Sequence, residues 1–497
     1  MTWRPLRVFL LSALAASASC HGHRPAADPT TDADAAEGEG SLPPEPHMPS
    51  ACVTLPAQKT ATDQIVSAAD EQNLDTDRIQ KAIDGCSAGQ AVKLAKSGSK
   101  NAFVSGPLVM RSGVSLWVDG GATLFASRDP RDFDKEPGSN TCGTEANDDS
   151  GGCKPLLLIK KASDVGIVGE GVIDGRGGEP MIGSELTWWD VAQAAKVKKV
   201  KHSTPRLIDV KDAENFTLYK IKLHNSPKFH VVINSAGYVV WGVEVLTPSR
   251  KTNSVGKALS PFYARNTDGI DPSSASNGAI VYCNISTGDD QIAVKATDSG
   301  PIENLIIAHN HFGAGHGMSI GSETNGGVSK VRVSDLTIDG DVDSGGMPKS
   351  DLNGIRIKSD LSKGGLVTDI TYRDVCIRDM QNPILLSPHY SDAQGSLVPQ
   401  YTKLLFNDVF MVKGSHPEVE PVITLQGFDA QHMLSATFDH VTIDWTPTIK
   451  AEFANLEMGP GEVNFTVNGE HVQVTKKTGN AGKGNTCAQK FAESPYK

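Results

Sequence analysis

Ala279-Ile-Val-Tyr-Cys-Asn-Ile285 and, 26 residues later, Leu305-Ile-Ile-Ala-His-Asn-His311 decide the fold. Each is a short β-branched run that ends in polar residues. From about residue 155 the pattern recurs, at 216–221, 330–336, 369–375, 404–409 and 436–441. Taking the polar residue near the end of each run as a marker, Asn284, Asn310, Asp335, Asp374, Asp408 and His440 are separated by 26, 25, 39, 34 and 32 residues. Short strands on a base period of about 25 residues, with loops added on some turns, fit a solenoid. A β-sandwich would show closer spacing and two-residue hairpin turns, and few such turns separate these runs. The chain is therefore expected to be all-β, a single-stranded right-handed parallel β-helix.

Residues 62–86 contain one amphipathic helix, with Ile79, Ala82 and Ile83 on one face and Asp75 or Thr76 available as its cap. At the start of a solenoid it is expected to cover the open end of the core. The length of 497 residues would otherwise suggest about three domains, but a solenoid grows in one dimension without splitting its core. Residues 1–20 read as an export signal: Arg4 and Arg7, an apolar stretch over 8–16 too short to span a bilayer, then small residues. Ala16-Ser-Ala18 fits a cleavage site that leaves a soluble secreted protein. Ser17-Ala-Ser19 before Cys20 resembles instead a bacterial lipoprotein signal, which would place a lipid on Cys20 and hold the protein at the outer membrane or cell surface. Residues 21–50, rich in Pro, Ala, Asp and Glu, are expected to be a disordered linker, 51–475 the β-helix domain and 476–497 a C-terminal tail. No long apolar run follows the N-terminus, so no membrane span is expected.

Eight cysteines in an exported chain permit disulfides. Cys142 and Cys153 bracket a polar loop, and Cys52 and Cys86 bracket the first folded segment; these are the expected pairs. Cys283 alternates with Val281 and Ile285 on one strand face, so a buried free thiol is expected there. Cys376 and Cys487 receive no assignment. The net charge of −11 and pI near 5.7 argue against nucleic acid or an acidic membrane as partner. An acidic chain that binds a polyanion needs a local positive patch, which draws attention to Lys295, Arg356 and Lys358. The basic run Lys196, Lys198, Lys199 and Lys201 is read as a solvated edge in preference to a polyanion contact.

The residues that carry chemistry recur at solenoid intervals. They are Asp268 in Asn266-Thr-Asp-Gly269, Asp289-Asp290 in Gly288-Asp-Asp-Gln-Ile-Ala-Val-Lys295, His316 in Gly315-His-Gly317, and Arg356-Ile-Lys358. The intervals are 21 (268 to 289), 26 (290 to 316) and 40 (316 to 356). Singly, each is ordinary: Asn-Thr-Asp-Gly is turn chemistry, adjacent carboxylates are usually solvated, and a lone histidine is usually a surface residue. Stacked on coils about 4.8 Å apart, they give clustered carboxylates for acid/base work beside fixed positive charge, the outline of a polysaccharide-hydrolase site. Strand alternation sends Ile292 and Val294 inward, and Gln291, Lys295 and Asp289 outward. Asp290 would then point into the core at a prohibitive cost, unless the strand bends or Asp290 meets a partner. Glycines on both sides of His316 allow close approach of another segment, and Arg356 and Lys358 share one strand face. His309-Asn-His311 lacks a third ligand, and Gly169, Gly171 and Gly175 miss the dinucleotide spacing, so neither metal nor cofactor is expected.

Together these four motifs resemble those of the polygalacturonases of glycoside hydrolase family 28, with further similarity in Gly171-Val-Ile-Asp-Gly-Arg-Gly177, Asn225-Ser-Pro-Lys-Phe-His230 and Tyr390. The resemblance covers about 51–470 and is similar to secreted bacterial endo-polygalacturonases. It implies a pectin-lyase-like β-helix that hydrolyses polygalacturonate with inversion. Asp289 would be the general acid, kept protonated by its like-charge neighbours, with Asp268 and Asp290 activating water. His316 would bond within the carboxylate cluster or to substrate. Arg356, Lys358 and Tyr390 would hold uronate carboxylates, with Asn266, Gln291 and Lys295 as further contacts. The expected partner is a polyanionic polysaccharide, and the expected state is a monomer.

Three other readings share parts of the pattern. A pectate lyase would use the same fold but needs Ca²⁺ and a basic catalyst. A non-catalytic solenoid adhesin explains the coils but not the carboxylates. Exo action would follow if loop 247–265 or 341–352 closed one end of the cleft.

Overall fold

Each run singled out by its β-branched residues becomes a strand, and each pairs in parallel with the run one coil away. Ile280, Ile307, Val333, Tyr372, Phe406 and Phe438 are register partners down six successive coils. All six are buried in one continuous core that extends from Ala57 to Val467. The result is a right-handed parallel β-helix. This computed structural model describes residues 41–146, 152–340, 347, 351–416, 418–479 and 487–492. The signal segment, Cys20 and residues 21–40 lie outside the described residues.

The coil corner is set by backbone conformation more than by side-chain polarity. Tyr282, His309, Asp335, Asp374, Asp408 and His440 all have φ between 46° and 59°, the left-handed region, at equivalent positions of the stack. Asn284 and Asn310, the polar markers of the first two runs, fall two residues and one residue past that corner. Tyr282 can take the corner because its ring stacks on His309 at 4.7 Å, recovering packing energy against the cost of a positive φ.

The ladder also starts earlier than the repeat suggested. Ser50–Pro56 pairs with Gln90–Ala95, which pairs with Val114–Val118, so coils precede residue 155. The expected capping helix is Thr76–Gly85, with Ile79 and Ile83 fully buried in the core. Asp75 stands at its N-cap but its side chain does not cap it. That carboxylate bonds Lys59 (2.9 Å), Arg78 (2.7 Å) and the amide of Val104 (2.8 Å) instead. Residues 42–49, assigned by sequence to the linker, include side chains that lie on the solenoid. Leu42 packs on Val281 and Ala308, and Glu45 accepts a hydrogen bond from the Tyr219 hydroxyl at 2.6 Å.

Cys52 is joined to Cys86 and Cys142 to Cys153; a third disulfide links Cys376 to Cys487, and Cys283 is a buried free thiol. The third bridge holds the short helix Cys487–Ala492 against the coils, where Lys490 reaches Asp335 (2.5 Å) and Asp374 (2.6 Å). The helix Trp188–Lys198, which the sequence reading missed, opens with a capping box between Thr187 and Asp190.

Inside the solenoid, Phe406 is stacked between Tyr372 (5.2 Å) and Phe438 (4.8 Å). Phe406→Ala should cost about 3–5 kcal/mol through lost burial and an unfilled cavity. Chemical denaturation measures this, and an unchanged midpoint would contradict a core built on that stack.

Candidate active site

Ile270, Ile292, Met318 and Ile355 are register partners on four neighbouring coils. Two residues before each stand Asp268, Asp290, His316 and Asn353. They therefore stand at the same offset from paired strands whose coils are about 4.8 Å apart. The coil partner of Asp268 is Asp290, not Asp289, and Arg356 aligns with Ser319. The strand begins only at Ile292, so alternation does not extend back to Asp290. The Asp290 carboxylate is 2% exposed yet lies among outward-facing groups. It accepts from Ser319 Oγ at 2.7 Å and Lys358 Nζ at 2.6 Å, with Arg356 Nη1 3.5 Å away. Burial raises its pKa, but Lys358 and then Arg356 outweigh that and hold it below the ordinary carboxylate range.

Asp289 faces His316, with Oδ1 to Nδ1 at 3.0 Å. The two glycines around His316 have φ of +149° and +90°. A side chain at Gly317 would collide with the carbonyls of Asn353 and Gly354, so glycine is required for the histidine loop to lie against the next coil. Gln291 does not reach outward as expected. It is fully buried and braces that loop, donating to Gly313 O (2.7 Å) and accepting from Gly317 N (2.6 Å).

A second charge cluster adjoins the first. Lys295 Nζ sits between Asp271 Oδ2 (2.6 Å) and Asp268 Oδ2 (3.2 Å). Both aspartates are buried, and each leaves its Oδ1 without a hydrogen-bond partner. Burial, with the charges of Asp271, Asp289 and Asp290, pushes Asp268 well above the usual carboxylate range despite Lys295. Burial likewise raises Asp271 to about 6. This overturns the expectation that like-charge neighbours keep Asp289 protonated. Burial does raise Asp289, but the charge and hydrogen bond of His316, then Lys358 and Arg265, more than reverse it, so Asp289 is the lowered carboxyl and Asp268 the raised one. Asp271 and Ser319 were missed in the sequence. Asp271 stands three residues beyond Asp268 in the same motif, which was the available signal.

Tyr390 is 46% exposed, with its ring 5.5 Å from the Arg356 guanidinium and 5.3 Å from Lys358 Nζ. Its backbone amide donates to Ser359 O at 2.8 Å, and neighbouring Ser391 donates to Asp360 at 2.7 Å. Lys358 and Lys295 are thus paired with carboxylates of the site itself. Arg356 differs, because its Nε is buried without a hydrogen-bond partner. Asn266, at φ +56°, bonds His202 Nε2 through Oδ1 at 3.1 Å. His230, held neutral by burial with a pKa near 4, bonds the Asp268 carbonyl.

Contrary to the expectation of no metal-ligating cluster, Asp289, Asp290 and His316 bring ligand-type atoms within 4.8 Å of one another. Their donor set is nevertheless committed: Lys358 and Arg356 neutralise Asp290, and His316 is bonded to Asp289. Fixed ammonium and guanidinium charge stands where a cation would have to bind.

A groove of about 450 Å³ runs from Asp271, Lys295 and Glu323 past Phe229 to His202 and the end of the Trp188–Lys198 helix. Two members of the basic run, Lys196 and Lys201, line it. Lys198 pairs with Glu145 at 2.7 Å, and Lys199 ends the helix at φ +56°. The run is therefore divided between groove wall and solvated edge. Loop 247–265 folds back on the wall, where Arg250 bonds Glu179 and Lys257 meets Asp190 at 2.5 Å. Most of loop 341–352 lies outside the described residues.

The profile of Glycosyl hydrolases family 28 matches residues 109–460. A polygalacturonase of Ralstonia solanacearum is 40% identical over 492 residues, covering 93% of this chain and 90% of the relative. An endo-polygalacturonase of Pectobacterium parmentieri is 38% identical, covering 83% of this chain and 92% of the relative. Among solved structures, the polygalacturonase from Erwinia carotovora ssp. carotovora superposes with a TM-score of 0.71 at 37% identity, covering 84% of this chain and 99% of that one. Together with the coil-stacked carboxylates, these similarities identify the chain as a glycoside hydrolase that belongs to glycosyl hydrolase family 28.

Proposed function

We propose that the protein is an endo-polygalacturonase that hydrolyses α-1,4-galacturonosidic bonds of polygalacturonate and unesterified pectin with inversion. The observation that carries this reading is the set of three clustered carboxylates, Asp268 beside Lys295, Asp289 beside His316 and Asp290 beside Lys358, next to a basic groove. The names of the relatives support the substrate and the endo mode. Three disulfides suit action in an oxidising compartment outside the cytoplasm, whether the chain is released or anchored through Cys20.

In this reading Asp289 protonates the glycosidic oxygen. Its Oδ1 lies 3.0 Å from His316 Nδ1, and this hydrogen bond orients the carboxyl for the transfer. Asp290, ionised and oriented by Lys358, Arg356 and Ser319, accepts a proton from the attacking water, together with Asp268. Arg356, with a free Nε under the Tyr390 ring, reads a uronate carboxylate. A second reading exchanges the donor: Asp268, the carboxyl raised by burial, supplies the proton and Asp290 alone is the base.

Substrate chemistry separates these readings. An aryl galacturonide leaves without protonation, so removal of the acid is largely rescued on it and removal of a base is not. Asp289→Asn should lose about 10²–10⁴-fold in kcat on polygalacturonate and recover most of it on the aryl substrate. Rescue of Asp268→Asn instead would transfer the acid role to Asp268.

Asp268 must be ionised to act as base, so the acid limb of kcat/KM should follow its pKa. Lys295→Gln removes a stabilising positive charge and should move that limb to higher pH. Asp271→Asn removes a negative charge and should move it lower, each by roughly one unit. Shifts of the alkaline limb in the same directions would mean that protonated Asp268 is the working form. Activity should also survive exhaustive chelation, since charge at the cluster is supplied by side chains. Restoration of a chelated, inactive protein by Ca²⁺, with an unsaturated product, would replace hydrolysis by elimination.

A further inference from the structure

The carboxylates of the site are not held alike. Asp290 is fixed by Ser319 at 2.7 Å and Lys358 at 2.6 Å. The Asp268 carboxylate bonds Lys295 Nζ at 3.2 Å through Oδ2, and its buried Oδ1 has no partner among the described residues. Its direction therefore depends on the main chain that carries it. His230 grips that main chain twice. The Asp268 carbonyl accepts from the His230 amide at 2.8 Å and from ring Nδ1 at 3.0 Å. The first bond belongs to the ladder between coils and already satisfies a buried carbonyl. The second is added to it by a side chain.

The partners assign the proton on the ring. A carbonyl can only accept, so Nδ1 carries the hydrogen. Nε2 faces the amide of Ser226 at 3.4 Å and Thr247 Oγ1 at 2.7 Å. An amide can only donate, so Nε2 is the bare nitrogen, and the Thr247 hydroxyl donates to it as well. That hydroxyl accepts in turn from Asn225 N at 2.9 Å. The Asn225 side chain donates to Asp174 at 3.0 Å and Ser249 at 2.7 Å, so the brace reaches back across the coils. His230 and Ser226 are fully buried and Thr247 is 1% exposed. A ring so placed cannot touch a sugar, and any part it has in the reaction passes through Asp268. Burial holds it neutral, with a pKa near 4, which preserves this tautomer at higher pH.

We propose that His230 is a positioning residue for the reaction. Its Nδ1–H pins the carbonyl of Asp268 and so sets the direction in which that carboxylate meets the sugar, while Thr247 holds the ring from behind. The inference rests on the reading of Asp268 as a reacting carboxylate, and it holds whether Asp268 acts as base or as acid.

The test uses the full chain and polygalacturonate. His230→Gln keeps an acceptor near the place of Nε2 but lacks the Nδ1 donor. Its kcat should fall about ten- to a hundredfold, the cost of a misplaced reacting group, with KM little changed. His230→Asn puts an amide N–H where Nδ1 stood and should recover most of that loss. Added to Asp268→Asn, the His230→Gln change should cost nothing further, because the group it positions is already gone. Thr247→Val loosens the ring from behind at nearly constant volume and should lower kcat in the same way by a smaller factor. Should the His230 variants fail to fold, an unchanged kcat in Thr247→Val would overturn the proposal. Equal losses in both His230 variants that track a fall in melting temperature would also overturn it, leaving His230 a core residue. A His230→Gln enzyme with normal kcat beside an inactive Asp268→Asn would overturn it while sparing the reading of the site. Normal kcat in Asp268→Asn would refute that reading and the proposal with it.

Discussion

Parallel register between coils is the constraint on which the rest of the structure depends. Because Ile270, Ile292, Met318 and Ile355 stack inside the core, the segments that lead into their strands are held one coil apart. Four loops of unrelated sequence are thereby brought to equivalent heights on one face. The same inner ladder, continued through Tyr372, Phe406 and Phe438, keeps the coils rigid where the site requires fixed geometry. The placement of these side chains is thus a consequence of hydrophobic burial elsewhere on the same coils.

Such stacking creates an electrostatic difficulty, since it crowds carboxylates in a place from which water is largely excluded. The structure offsets it coil by coil. Lys358 and Arg356 come from the coil after Ser319 to neutralise Asp290, His316 serves Asp289, and Lys295 is divided between Asp268 and Asp271. The compensation is unequal, and that inequality is chemically useful. The pKa of Asp290 is held below the usual carboxylate range while that of Asp268 is pushed well above it, so groups of one residue type are driven apart.

The repeat was legible because the inner residues of each strand are β-branched or aromatic and the period survives the insertions. The coil corner was less so: it demands a left-handed backbone, which Tyr282 and His309 supply without looking like turn residues. The four motifs were visible as spacings, but their pairing was not. Asp290 could be called problematic from alternation, and the bend before Ile292 together with Lys358 resolves it. Which carboxyl is raised depends on burial and on partners from other coils, neither of which local sequence contains. Gln291 shows the same limit, because its outward position in an ideal strand became a brace for the His316 loop. Cys376 and Cys487 are 111 residues apart and meet only because the tail returns across the coils.

The central claim is that water, activated by a carboxylate, attacks the anomeric carbon from the face opposite the departing sugar. The most direct measurement is proton NMR of the first products of polygalacturonate cleavage, recorded before mutarotation. The account predicts that the new reducing end appears as the β-anomer. An α-anomer appearing first would contradict it, because retention requires a covalent intermediate on one of these carboxylates.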